Sequence, residues 1–86
     1  MPRISEFFGV VISMYYDDHF PPHFHARYGE YGISVSIDTL EVMEGFVPPR
    51  VRGFVVEWGA IHQTELVVNW RLGRLGLPLN KIDPLE

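Results

Sequence analysis

Three of the four histidines in the chain, His19, His23 and His25, fall within seven residues of the run Asp17-Asp18-His19-Phe20-Pro21-Pro22-His23-Phe24-His25-Ala26. Imidazole changes charge near neutral pH and is also a common metal ligand, so such a cluster has two chemical uses. Each proline fixes its own φ and pushes the preceding residue towards extended geometry, which presents the rings on a stiff segment. If His23 to Arg27 continue as a strand, His23 and His25 project from one face, because side chains alternate with period two.

Two chemistries suit these residues, and one structural account competes with them. A metal site would take His23 and His25 as two ligands, His19 or His62 as the third, and Glu65 or Asp18 as a carboxylate. Such a donor set fits zinc or, with two histidines and one carboxylate, iron. A metal-free site would use one histidine as general acid and base, with Glu65 orienting it and Arg27 stabilising phosphate charge. That is the equipment of a small ribonuclease, which needs no cofactor because the RNA 2′-hydroxyl is the nucleophile. In the structural account, His62 and Glu65 satisfy each other, His23 and His25 bond carbonyls of their own loop, and Asp17, Asp18 and the two prolines are turn residues. The residues alone leave all three open.

The elements that must position this cluster follow from periodicity. Phe7 to Tyr16 is rich in β-branched and aromatic residues and predicts a strand buried on both sides. Phe24 to Tyr28 predicts a second strand, with Gly29 to Gly32 as the turn after it. Ile33-Ser34-Val35-Ser36-Ile37 alternates strictly and predicts the third. Asp38 and Thr39 lead into a short fourth, Leu40 to Glu44. Short connections favour antiparallel neighbours, hence a meander.

After Pro48 and Pro49 the period changes. Val51, Phe54, Val55, Trp58, Ile61, His62, Glu65, Leu66, Asn69 and Leu72 share one stripe of a helix that ends at Gly76 and Pro78. Gly53, Gly59 and Gly73 weaken it, and a kink is expected near Gly59. His62, Glu65 and Asn69 interrupt the apolar stripe, and buried polar groups need partners. The expectation is that they meet the His19/His23/His25 loop, closing a polar pocket floored by Trp58, Phe24 and Tyr28. The apolar tail, with Leu79, Ile82 and Leu85, is expected to pack along the sheet or helix.

The composition bounds the function class. At 86 residues, 47% hydrophobic and 14% aromatic, the chain reads as one folded domain spanning residues 1–86, too apolar for disorder. It has no cysteine, which excludes disulfides and thiolate zinc and suits a reducing cytoplasm. Met1 to Glu6 is too short and polar for a signal peptide, and no apolar run approaches a membrane span. Residues 1–45 carry Arg3 and Arg27 against seven acids, and the whole chain is −4. That balance argues against a broad DNA-coating surface, but leaves room for a small RNA-cleaving site.

The segments Pro2-Arg3-Ile4-Ser5, Phe7-Phe8-Gly9, Met14-Tyr15-Tyr16, His19-x-Pro21-Pro22-His23-Phe24-His25-Ala26, Glu57-Trp58 and His62-x-x-Glu65-Leu66 resemble the small bacterial proteins grouped as domain of unknown function 4160. The similarity covers nearly the whole chain. The glycines at 53, 59 and 73 depart from the better helix formers usual in that family. The resemblance implies a neighbouring gene for another short protein, an arrangement that looks like a toxin–antitoxin pair.

The expected fold is α+β, a four-stranded antiparallel meander against one long C-terminal helix. The expected function is a toxin-like component acting on RNA. Its catalytic candidates are His23, His25, His62 and Glu65, and its substrate-binding candidates are Arg27, Tyr28 and Trp58. One alternative is a non-catalytic interaction module with structural histidines. The other is a metal-binding protein holding zinc or another divalent ion through His19, His23 and His25. The expected partners are a small protein encoded nearby, RNA, or a second copy of the chain, with no membrane.

Overall fold

The segment expected to be one strand from Phe7 to Tyr16 is in fact part of a hairpin. The computed structural model describes residues 2–86, and in it β1 (Arg3–Phe7) turns back into β2 (Val10–Ser13) through Phe8 and Gly9. Phe7 pairs with Val10 across this two-residue loop. Both loop residues have positive φ, +50° at Phe8 and +79° at Gly9, as the tight primed hairpin turn requires. Phenylalanine is an unusual choice at the first position, and an unbroken apolar run concealed the turn. Phe8 stays exposed, its ring against Phe7 and Phe54.

The remaining strands are β3 (His23–Tyr28), β4 (Tyr31–Ser36) and β5 (Val42–Phe46). All neighbours are antiparallel, in the order β1-β2-β3-β4-β5. The meander is as expected, with five strands rather than four. The last strand starts at Val42 rather than Leu40. The Ser36 hydroxyl caps the turn at Thr39, and Leu40 takes φ +63°, dropping its side chain towards the core.

The long helix is also divided. α1 (Pro49–Ile61) and α2 (Gln63–Arg74) meet at His62, whose backbone lies outside helical geometry at φ −112°, ψ 24°. Gln63, the first residue of α2, donates from Nε2 to the Ile37 and Asp38 carbonyls at 2.6 and 3.0 Å, fastening the break to the end of β4. The break therefore falls three residues after the expected kink. Gly59 serves close approach instead: a Cβ there would lie 3.0 Å from Leu40 and 3.3 Å from Phe24.

One face of the sheet, with Ile4, Phe7, Val10, Ile12, Phe24, Ala26, Ile33 and Val35, packs under the helices against Val51, Val55, Trp58 and Leu66. The tail closes this core, as expected. Ile82 N–H donates to the Ile4 carbonyl at 2.7 Å, capping the free edge of β1, and Lys81 Nζ donates to the Arg3 carbonyl. Asn69, fully buried, is satisfied by the Asn80 backbone in both directions. Trp58 Nε1 donates to the Asp83 carbonyl. No helix among the described residues is long and apolar enough to cross a membrane.

Two glycines give opposite stability outcomes. Gly45 sits in β5 at φ +87° with its Cβ position 2.1 Å from the Gly32 carbonyl oxygen, so Gly45→Ala is expected to cost about 2 kcal/mol or more by strain and loss of edge pairing. Gly53 lies in α1 with open space around it, so Gly53→Ala is expected to stabilise by about 0.5–1 kcal/mol. Urea denaturation of the two variants beside the parent protein measures both.

Candidate active site

Strand β3 separates two kinds of surface. Phe24 and Ala26 point into the core, while His23, His25 and Arg27 point to the opposite face. On that face His25 stands between Ser13 of β2 and Ser34 of β4, and Ser34 pairs in turn with Glu44 of β5. The face is shallow and open to solvent. A groove of about 450 Å³ runs over it, with Tyr15, His25, Arg27, Tyr31, Ser34 and Glu44 among its walls. The Tyr15 ring meets His25 edge-on with centroids 4.5 Å apart, and the exposed rings of Tyr31 and Phe46 stand 5.8 Å apart. Arg27 is exposed and makes no ion pair or side-chain hydrogen bond among the described residues.

Asp18 is the hub of the histidine loop. Its Oδ2 lies 3.0 Å from His23 Nε2 and 3.4 Å from His25 Nε2. Its Oδ1 lies 3.1 Å from His19 Nδ1 and accepts the His19 backbone N–H at 2.9 Å. The loop is anchored by the end of α2. Asp17 N–H donates to the Gly73 carbonyl, Arg74 Nη1 donates to the Asp18 carbonyl at 2.9 Å, and the Arg74 guanidinium covers the Phe20 ring. The Phe20-Pro21 peptide is cis.

His23 is 3% exposed and packs against Trp70, whose buried indole nitrogen has no partner among the described residues. Nδ1 of His23 lies 2.7 Å from the Pro21 carbonyl. A carbonyl only accepts, so Nδ1 carries a proton and donates it. Nε2 then faces the Asp18 carboxylate, a second acceptor. A cation between them, whether a proton or a metal ion, makes that contact attractive.

Electrostatics separate Asp18 from His25. Burial is the largest influence on Asp18 and acts upward, but the His19 N–H, the His25 hydrogen bond and the charges of His23 and His19 together hold the carboxyl below its ordinary 3.8. At His25 burial is again largest and disfavours the charged ring. With repulsion from His23 it outweighs the attraction of Asp18 and Glu44, placing His25 below its ordinary 6.5.

The structure brings His19, His23, His25 and Arg27 to this region and takes the other candidates elsewhere. His62 Nδ1 pairs with Glu65 Oε1 one turn along, and its ring lies against Trp58. Neither His62 nor Glu65 has a hydrogen bond, ion pair or ring contact with the histidine loop among the described residues. The expected shared pocket does not form, because the polar notch in the helix is satisfied locally, by the His62–Glu65 pair and by Asn80. Trp58 and Phe24 lie in the core, and Tyr28 packs beside Gly9 on the helix side of the sheet. Asp18, His23 and His25 each offer a ligand atom, all within 4.8 Å of one another. Arg74 and the Pro21 carbonyl, which hold the loop and its ring, were not legible in the sequence. Only a contact across more than fifty positions links Arg74 to Asp18.

The family model for domain of unknown function DUF4160 matches residues 9–71, which include the histidine loop, β2 to β5 and most of both helices. The chain belongs to the DUF4160 family. No curated protein and no solved structure matches it.

The two pKa shifts have the same sign. The folded state binds fewer protons than the unfolded chain, so stability falls on acidification. The share of His25 is complete above 6.5 and is lost as pH drops below that value. The share of Asp18 is complete above 3.8 and is lost below it. In chelator-containing buffer, Tm is expected to decline as pH goes from 7 to 5, and His25→Gln is expected to flatten that decline. Thermal melts followed by circular dichroism check both.

Proposed function

We propose that the chain is a small cytoplasmic RNA-acting protein, the toxin-like member of a two-gene module, with its reactive centre at Asp18, His23 and His25. One observation carries this reading: the Asp18–His25 pair opens onto a groove whose next residue on the same strand face is an unpaired arginine, Arg27. Arginine recognises phosphate through a planar fork of donors. Exposed aromatic rings such as Tyr31 and Phe46 offer unpaired bases a stacking surface, the usual means of holding single-stranded RNA. Glu30 and Glu44 on the same groove limit the contact to a short segment, in keeping with the acidic chain.

The chemistry needs only what these residues supply. His25, oriented by Asp18, takes the proton of a ribose 2′-hydroxyl. The 2′-oxygen attacks the adjacent phosphorus while Arg27 neutralises the phosphoryl oxygens. The bond to the 5′-oxygen breaks, leaving a 2′,3′-cyclic phosphate, and the departing oxygen takes a proton from water. His62 and Glu65 have no part in this scheme.

A second reading has its own support. The edge of β1 is capped by Ile82, whereas β5 carries Val42, Met43, Glu44 and Phe46 with no strand beyond it among the described residues. An open edge is a docking place for an extended segment of another chain. In this reading the small neighbouring protein adds a strand at β5, either to silence the centre or as the whole purpose of the fold.

Incubation of the purified protein with a fluorescent single-stranded RNA is expected to yield fragments ending in cyclic phosphate. His25→Ala is expected to lower the rate 100-fold or more, and Arg27→Ala to lower kcat/KM by about 10- to 100-fold, with circular dichroism unchanged in both. His62→Ala is expected to leave the rate untouched. If the parent protein shows no cleavage, or His62→Ala abolishes it while His25→Ala does not, the catalytic reading fails and the interaction reading replaces it.

A further inference from the structure

We infer that Asp18, His23 and His25 form a binding site for one divalent first-row transition metal ion, with zinc the natural occupant. The ligand atoms are Asp18 Oδ2, His23 Nε2 and His25 Nε2. Two separations in the structure, 3.0 and 3.4 Å from the carboxylate oxygen to the two nitrogens, match what a shared ion demands. Bonds of about 2.1 Å at angles between octahedral and tetrahedral put neighbouring donors roughly 3.0–3.4 Å apart. Two imidazoles and one carboxylate are a familiar set for zinc and ferrous iron.

An independent feature points the same way. A ligating histidine characteristically donates its second ring N–H to an oxygen, which fixes the tautomer and aims the lone pair. His23 does this at Pro21, at 2.7 Å, while 3% exposed. The proline pair thus orients a buried lone pair at a carboxylate and another imidazole. The His23 Nε2 lone pair and the Asp18 carboxylate are both acceptors, a poor contact without a cation between them. Packing against Trp70 and the Arg74 anchor on the Asp18 carbonyl hold the set in place.

His19 is outside the set. It approaches the other oxygen of Asp18 and its side chain is 82% exposed. The ligand set therefore differs from the three-histidine one suggested by sequence, with Asp18 replacing His19. His25 also lines the groove, so an ion held there would border the space assigned above to substrate. This inference rests on that reading only for what the ion would meet. Ligation would occupy Nε2 of His25, so the proton transfer assigned above to this ring belongs to the metal-free form.

The site is tested without RNA, by titrating the untagged, chelator-stripped protein with zinc chloride in a calorimeter and with cobalt chloride in a visible spectrometer. One ion per chain at micromolar or tighter affinity is expected, with a cobalt d–d spectrum showing nitrogen and oxygen ligation. Asp18→Asn and His25→Gln are each expected to weaken zinc at least 100-fold, and His19→Ala and His62→Ala less than threefold. Zinc is expected to raise the Tm of the parent protein and of His19→Ala, but not of Asp18→Asn, which separates lost ligation from lost folding. No stoichiometric binding, or binding lost in His19→Ala or His62→Ala but retained in Asp18→Asn, overturns the site. Metal binding without RNA cleavage would leave the site standing and remove the catalytic reading; RNA cleavage by a protein that takes up no zinc or cobalt in the titrations would do the reverse.

Discussion

A strand inside a sheet has two faces, and β3 uses them for opposite purposes. Phe24 and Ala26 fix the strand to the core beneath Trp58, while His23, His25 and Arg27 are turned to the other side by the same alternation. A slip of one residue in register would exchange the two sets, placing imidazole and guanidinium in the core. The pairing of β3 with β2 and β4 on both edges forbids that slip. The position of the imidazoles and the guanidinium is thus a by-product of the constraint that buries the hydrophobic side chains.

The loop before β3 completes the arrangement by a different means. Asp18 is too short to reach two imidazoles unless its backbone is held over them. That backbone is held by the last turn of α2, through Gly73, Arg74 and the Arg74 contact with Phe20. Carboxylate and histidines therefore come from adjacent sequence but are aligned by an element more than fifty residues away. The tail acts comparably on the other edge, satisfying Asn69 and Trp58 and occupying the Arg3 and Ile4 carbonyls of β1.

Much of this was legible from residue types, and what was not has identifiable causes. The strict alternation of Ile33 to Ile37 located β4, the double prolines located the start of the helical half, and three histidines within seven residues located the loop. The Phe8-Gly9 turn was hidden because its first residue is apolar rather than Asn or Asp. The break at His62 was hidden because it depends on Gln63 reaching carbonyls beyond β4, whereas Gly59, the apparent weak point, is needed for contact with Phe24 and Leu40. The polar notch was recognised as requiring partners. Periodicity could not show that Asn69 finds them in the Asn80 backbone and that His62 and Glu65 find them in each other, away from the loop histidines.

The bond from Ile82 to Ile4, with Lys81 reaching the Arg3 carbonyl, also has a consequence for how the molecule comes into being. β1 meets its outer neighbour only once a segment 78 positions further along the chain has been synthesised, a closure over a long loop. Until then its outer rim lies bare, and the nascent chain carries an unprotected pairing surface. Completion of this edge is thereby a late event of folding, after every strand of the meander already exists.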